Sequence, residues 1–185
     1  AASFGDAGAF VTKGSVEAYG SGRTETTTFV GDNATLQAGR DLTVDSLASS
    51  QATILAQGGS GKSLGKAIKD LFTKKLDEIS PPAIAANGGS VALLNLTCSA
   101  LVDIGADAKL TAENDLVLQS NAEVTIDADA TMTAESAIAA AALAVTSVVT
   151  DADALINIGA GSTVRGDQVI IDAVNRIDVN SYADA

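Results

Sequence analysis

The stretch FVGDNATLQAGRDLTVDS, residues 29–46, recurs twice in altered form, as VDIGADAKLTAENDLVLQS (102–120) and as INIGAGSTVRGDQVIIDA (156–173). The shared pattern is an apolar residue, a glycine, a small-residue turn, an apolar position, a second short turn, and then apolar-x-apolar. Leu36, Leu110 and Val164 share the position before the second turn. Leu42, Leu116 and Val169 open the strand after it, and Val44, Leu118 and Ile171 follow two residues on. Leu110 to Val164 spans 54 residues and Leu116 to Val169 spans 53, whereas Leu36 to Leu110 spans 74. About 20 extra residues therefore lie between the first two copies, and the Lys-rich stretch after Gly58 is the segment of different character there.

Within and between the copies run short alternating segments: TLQA, LTVDS, KLTA, LVLQS, VTIDA, TVRG, QVIIDA and RIDV. Period-two alternation means strands with one buried face, and the Gly, Asn and Asp residues between them read as turns of two to four residues. No run of helices alternates with these strands, so a doubly wound α/β sheet is excluded. A long repeat with many short strands points to an all-β solenoid, each coil stacked on the next about 4.8 Å away. One copy is long enough for two or three coils of that kind. An antiparallel sandwich is the alternative, but it requires no long-range repeat.

Composition supports thin layers. Apolar residues make up 46% of the 185-residue chain, but aromatics only 3%, with no Trp. The core must be built from Ala, Val, Ile and Leu. The absence of His removes the usual general base and zinc ligand, and with them Ser-His-Asp and Cys-His catalysis inside this chain. Cys98, alone in LLNLTCSALV, reads as a buried, inert thiol. A net charge of -12 argues against nucleic acid as a partner, since phosphate contacts need a basic patch. The longest apolar run, 137–149, falls short of the roughly 20 residues of a membrane span, and AASFGDAGAF does not read as a secretory signal. The run AIAAAALAVTSVV (137–149) ends in β-branched residues and is expected as strand.

Residues 56–63, AQGGSGKS, approach the phosphate-loop pattern, with Gly61 and Lys62 as anion contacts and Ser63 as a magnesium ligand. Ala56 replaces the first glycine of that pattern. QVIID (168–172) imitates the strand that ends in a magnesium-side carboxylate, but it belongs to the repeat. A phosphate loop works inside a parallel sheet alternating with helices, and one helix is all that is expected here. The structural reading therefore has AQGGSGKS as a flexible exit from the strand ATIL. The expected helix covers about residues 63–79. Leu64, Ile68, Leu71, Phe72, Leu76 and Ile79 form one apolar stripe, Ser63 caps the start and Pro81-Pro82 stops it. The expected helix packs by its stripe on the outside of the solenoid or across an open end with its lysines solvated; the alternative is that its basic face, Lys66, Lys69, Lys74 and Lys75 with Lys62 before them, docks on the acidic side of a neighbouring copy or on an anionic envelope surface.

Asp103, Asp107, Asp127, Asp129, Asp151, Asp153, Asp172 and Asp178 are expected at corners, where turn chemistry accounts for them. Calcium is the one cofactor such oxygens suggest, although neither the nonapeptide calcium pattern nor an EF-hand loop is present. TETTTF (24–29) suits a flat outer face. No aromatic platform for a sugar accompanies the carboxylates, which weighs against a carbohydrate-active β-helix.

TFVGDNATLQAGRDLTVDS and INIGAGSTVRGDQVIIDA resemble the repeats of very large secreted bacterial exoproteins, the filamentous-haemagglutinin-like and leukotoxin-type adhesins. The resemblance covers about 29–56 and 90–185. It implies a right-handed parallel β-helix, export across the envelope, and an adhesive rather than enzymatic role at the cell surface or outside it. Expected partners are further coils of the same solenoid, through self-association or chain continuation, and a host or matrix surface. The expected organisation is one continuous domain: coils over 1–56, the helical insertion with its flanks over 57–89, and coils over 90–185.

Overall fold

The computed structural model describes residues 2–7, 11–60, 85–134 and 139–185. All ten elements are strands: β1 (Ala2–Ala7), β2 (Val11–Val30), β3 (Thr35–Ala38), β4 (Leu42–Ser60), β5 (Ala85–Ile104), β6 (Lys109–Ala112), β7 (Asp115–Ala134), β8 (Ala139–Ile158), β9 (Thr163–Arg165) and β10 (Gln168–Asp184). They form three parallel sheets, ordered β1-β4-β7-β10, β2-β5-β8 and β3-β6-β9. We call these the return sheet, the outbound sheet and the corner sheet. The chain runs out along one 20-residue strand, turns through the short corner strand, and runs back along the facing sheet. This is a solenoid of stacked coils, consistent with a parallel β-helix.

The repeat alignment read from the sequence is the strand register. Leu36 pairs with Leu110 and Leu110 with Val164, while Leu42, Leu116 and Val169 share a rung, as do Val44, Leu118 and Ile171. Coil 1 is β2-β3-β4, coil 2 is β5-β6-β7 and coil 3 is β8-β9-β10. One repeat thus makes one coil, not two or three. The reason is strand length. The short alternating runs are pieces of continuous strands of up to 20 residues, about 65 Å long. In β7, alternate residues from Leu116 to Met132 are buried without a break. Asn121, Asp127 and Asp129, which resemble turn residues, occupy the outward positions of that alternation. The Ala-rich run is strand from Ala139 onward, as expected.

The extra residues of the first repeat fall between Ser60 at the end of β4 and Ala85 at the start of β5. The corresponding link from β7 to β8 occupies 135–138. The expected helix at 63–79 lies outside the described residues.

The outbound and return sheets pack face to face through small side chains. Ala18, Ala92, Cys98, Ala100 and Ala152 on one side meet Ala48, Ala56, Ala122, Ala128 and Ala130 on the other, with Ile54, Val124, Ile126, Leu94 and Leu96 filling between them. The layer is thin enough for serine to cross it. Ser46 Oγ donates to the Thr26 carbonyl at 3.0 Å, and Ser120 Oγ, one coil on, donates to the Ala100 carbonyl at 2.8 Å. A side chain two bonds long reaching the opposite backbone places these sheets closer than the usual ~10 Å. That spacing has no room for rings, which accounts for the scarcity of aromatics. At the corner the layer widens and larger residues fill it: Val30, Val44, Val102, Ile104, Leu110, Leu116 and Leu118.

The corner fixes the coil-to-coil step. Gly31, Gly105 and Gly159 occupy equivalent turns, and Gly105 N–H donates to the Val30 carbonyl while Gly159 N–H donates to the Ile104 carbonyl, both at 2.7 Å. A Cβ on Gly105 would lie 2.4 Å from Asp32 Oδ1 and 2.6 Å from Asp32 N; one on Gly159 would lie 2.6 Å from Ala106 N. Two residues on, Asn33, Asp107 and Gly161 all take the left-handed conformation, with φ of 57°, 56° and 78°. These residue types tolerate it best. In coil 3 the second turn is one residue shorter, and Gly166 there passes so close to Asn114 that a Cβ would sit 2.7 Å from its carbonyl oxygen.

Position in the stack decides what a residue contributes. Leu118 is fully buried between coils 1 and 3, whereas Ile171 on the same rung is 52% exposed. In urea denaturation, Leu118→Ala should therefore lower stability by about 2–5 kcal/mol, and Ile171→Ala by less than roughly half of that, in proportion to the area it buries. Gly105→Ala should destabilise by about 1–3 kcal/mol, because its Cβ has only backbone and a tethered carboxylate to displace.

Candidate interaction surfaces

Both long outer faces carry carboxylates, among them Glu17, Glu25, Asp103, Asp151 and Asp153 on the outbound sheet. On the return sheet the outward positions carry Asp45, Glu123, Asp127, Asp129, Asp172, Asp178 and Asp184, and among the described residues Arg176 is the one cation on that face. The carboxylates are partly offset by neighbours one coil away. Asn180 Nδ2 donates to Asp127 Oδ1 at 3.2 Å, and Arg176 lies 3.5 Å from Glu123. On the outbound sheet Asn157 Nδ2 likewise donates to Asp103 Oδ1 at 2.8 Å. Such exposed pairs contribute little individually, about 0–1 kcal/mol, but each joins residues on the same rung of adjacent coils and so favours the observed register. Near the end of the acidic face, the Asp184 carboxylate accepts from the Tyr182 hydroxyl and, with a smaller effect from Asp129, holds the phenol above its ordinary pKa.

The outer face of the outbound sheet carries an apolar patch. Tyr19, Leu93, Leu143, Val145 and Val149 are all exposed there, with Val91 half-buried among them. The patch lies towards the starts of β5 and β8, the end of the coil remote from the corner. Exposed apolar areas of this kind mark contact surfaces.

The sites expected from the sequence are redistributed by the fold. Of the eight aspartates assigned to corners, only Asp107 is at one; Asp103, Asp127, Asp129, Asp151, Asp153, Asp172 and Asp178 stand on outward strand positions. Stacking along a ladder places each beside an uncharged residue, such as Asn157 for Asp103, Asn180 for Asp127, Ser99 for Asp153, Gln119 for Asp172 and Thr125 for Asp178, rather than gathering them around a common point. Among the described residues, no group of three or more carboxylates or cysteines is arranged to hold a metal. TETTTF contributes Glu25, Thr27 and Phe29 to the outer face, while its other residues turn the opposite way. Thr24, Thr26 and Thr28 alternate inward and half-buried, and Thr28 Oγ1 donates to the Asp45 carbonyl at 2.6 Å, across to the return sheet. Cys98 is fully buried in the thin layer, as its apolar context implied.

The phosphate-loop candidate is divided. Gly61, Lys62 and Ser63 lie outside the described residues, as do Lys66, Lys69, Lys74 and Lys75. Gln57, Gly58, Gly59 and Ser60 do not form a flexible exit. They are the last residues of β4, paired with β1 on one side and with β7 from Thr131 to Ala134 on the other. Their backbone groups belong to ladders, whereas a phosphate cradle needs N–H groups free to converge on an anion. Gly58 has a packing role: a Cβ there would lie 2.9 Å from both Met132 Sδ and Val16 Cγ2. Among the described residues, no helix is long and apolar enough to cross a membrane.

Comparison with known proteins returns no matching family model, no matching curated protein and no matching solved structure.

Isothermal calorimetry with MgATP should give no saturable heat, and Lys62→Ala should leave that result unchanged. Saturable binding lost in the variant would restore the nucleotide reading.

Proposed function

We propose that this chain is a stretch of right-handed β-solenoid from a large secreted or cell-surface bacterial protein, acting as a structural and adhesive rod. The observation that carries this reading is the uninterrupted register of three coils, maintained along both 20-residue sheets and the corner. A stack of parallel ladders resists bending because each step breaks no backbone pairing. Right-handed winding is the strong preference for parallel strands joined by a crossover in the same sheet. The resemblance of the repeats to filamentous-haemagglutinin-like adhesins supplies the setting: export, surface display, and contact with a host or matrix surface.

In this reading the segment between β4 and β5 is an amphipathic helix at about 63–79, inserted at the end of the coil remote from the corner. Its stripe of Leu64, Ile68, Leu71, Phe72, Leu76 and Ile79 matches the chemistry of the apolar patch around Leu93 and Leu143, which begins within ten residues of Ala85. The lysines then face outward as the contact surface.

Electron microscopy of the protein from its native source should show stiff, narrow rods; round particles would overturn the reading. Replacing 61–84 by the four-residue link found at 135–138 should leave a protein with an unchanged β-dominated circular dichroism spectrum. It should also raise binding of a hydrophobic dye and weaken attachment to anionic surfaces. Loss of the β-spectrum would show that the segment belongs to the core.

A further inference from the structure

We propose that the outer face of the return sheet holds a lysine-binding groove, and that its occupant is the Lys-rich segment 62–75 of a second copy lying alongside. This rests on the reading of the protein as a surface rod with its lysines turned outward, and it names the partner of that contact.

Three adjacent rungs of outward side chains build the groove. Leu47, Asn121 and Val174 share the middle one. Asp45, Gln119 and Asp172 share the rung on one side of it, and Ser49, Glu123 and Arg176 the rung on the other. A cavity of about 270 Å³ lies over them, between Leu47 and Val174, with Gln119 at one end and Glu123 and Arg176 at the other. It is centred on coil 2 and opens through the face of the sheet. Further coils would lengthen the sheet to either side without closing it.

The chemistry of the groove selects an aliphatic stem with a cationic head. Leu47 is 58% exposed and Val174 37%, and they stand two ladder steps apart, about 9.6 Å, with only the shorter Asn121 between them. That leaves a slot one aliphatic chain wide. About 6.6 Å along the strand, Asp45 and Asp172 flank Gln119 on its two sides. Among the described residues, neither of these carboxylates has a cation partner, and the Gln119 and Asn121 amides make no hydrogen bond. Asn157 and Asn180, by contrast, donate to Asp103 and Asp127. A lysine laid along the slot covers Leu47 and Val174 with its methylenes and sets its ammonium over Gln119, between the two aspartates. At the far end Arg176 lies 3.5 Å from Glu123, so that pair is internally balanced and the aspartates are the charge left to satisfy.

The sequence gathers its lysines in one place. Lys62, Lys66, Lys69, Lys74 and Lys75 are five of the eleven basic residues in a chain of net charge -12. Two such copies repel one another unless this segment comes between them. The segment of the same copy does not serve. Leu47 is 13 residues before Ser60, about 43 Å along β4. The segment is tethered at Ser60 and at Ala85, both at the end remote from the corner. Its midpoint lies 12 residues from either tether, a reach of about 40 Å when pulled straight. The donor is therefore another copy. Each copy keeps a groove and a segment for further neighbours, so the contact is heterologous and propagates sideways between rods.

Carbodiimide coupling of an equal mixture of isotope-labelled and unlabelled protein tests the pairing. The reagent joins a lysine amine to a carboxylate in contact with it, and mass spectrometry separates mixed-label products from unmixed ones. Products linking Lys66, Lys69, Lys74 or Lys75 to Asp45 or Asp172 should appear mixed and unmixed in equal measure. Sedimentation velocity should show self-association that weakens as salt is raised. Leu47→Lys should raise the dissociation constant about tenfold or more by placing like charge in the slot, and Asp172→Asn should raise it less. Both residues are exposed, so the thermal midpoint should not move. Thr27→Lys, on the outer face of the outbound sheet, should leave association unchanged. Couplings confined to single copies, couplings that go to Asp151 or Asp153 instead, or association that Leu47→Lys leaves intact or Thr27→Lys abolishes equally would overturn the proposal. If no association is found while the β-spectrum and the stiff rods persist, the groove contact falls and the rod reading stands. If the particles are round, both fall.

Discussion

The step from one coil to the next governs this molecule. Parallel ladders require every strand to keep the same register with the strand above and below, so the repeat length becomes a fixed quantity. Between coils 2 and 3 it is 54 residues in the outbound and corner sheets and 53 in the return sheet. The one-residue difference is absorbed in the second corner turn, where Gly166 passes against the coil beneath. Between coils 1 and 2 it is 74 in all three sheets, because the added residues enter at the remote end and leave the ladders undisturbed. The corner glycines let the backbones approach to that step, and the left-handed position at Asn33, Asp107 and Gly161 turns the chain in the same place each time.

The thin layer between the long sheets follows from the same constraint. Side chains there must fit the residues above and below them at the ladder spacing and also meet the facing sheet across a short gap. Ala, Ser, Gly and Cys satisfy both requirements. Larger residues enter where a neighbouring coil gives way. Leu94 sits against Gly20 and Leu96 against Gly22, with each glycine's absent Cβ only 2.9 Å from a leucine methyl. Bulk in coil 2 is thus matched by its absence in coil 1, and mass is balanced along the stack rather than within a coil.

The repeat was legible in the sequence because its apolar corner positions are close copies: Leu36, Leu110 and Val164 name a rung without any structure. The long strands were not legible. Ala, Ser, Asn and Asp in stretches such as NAEVTIDADATM have turn character by local preference, but two flanking ladders override that preference and hold the backbone extended. For the same reason the aspartates other than Asp107 were misplaced to corners, and only alternate residues of TETTTF reach the outer face. Alternation is visible in sequence, but which parity points inward depends on register with the next coil. AQGGSGKS shows the local rule failing in another way. Its glycines suggest a loop, whereas Gly58 is required by the approach of Met132 and Val16, residues far away in the chain. The make-up of the two outer faces was invisible for a related reason, since each face gathers residues from three repeats.

The separation of the paired strands also bears on how the chain reaches this state. Among the described residues, every ladder pairs positions at least 53 apart, and no hairpin joins neighbouring strands. The first two coils to meet must close long loops before any ladder forms, so nucleation is slow. Once two coils are in place, their edge is a template that sets direction, register and corner geometry for the next, and each addition resembles growth on a crystal face. Folding of this chain is therefore a matter of initiation followed by rapid extension.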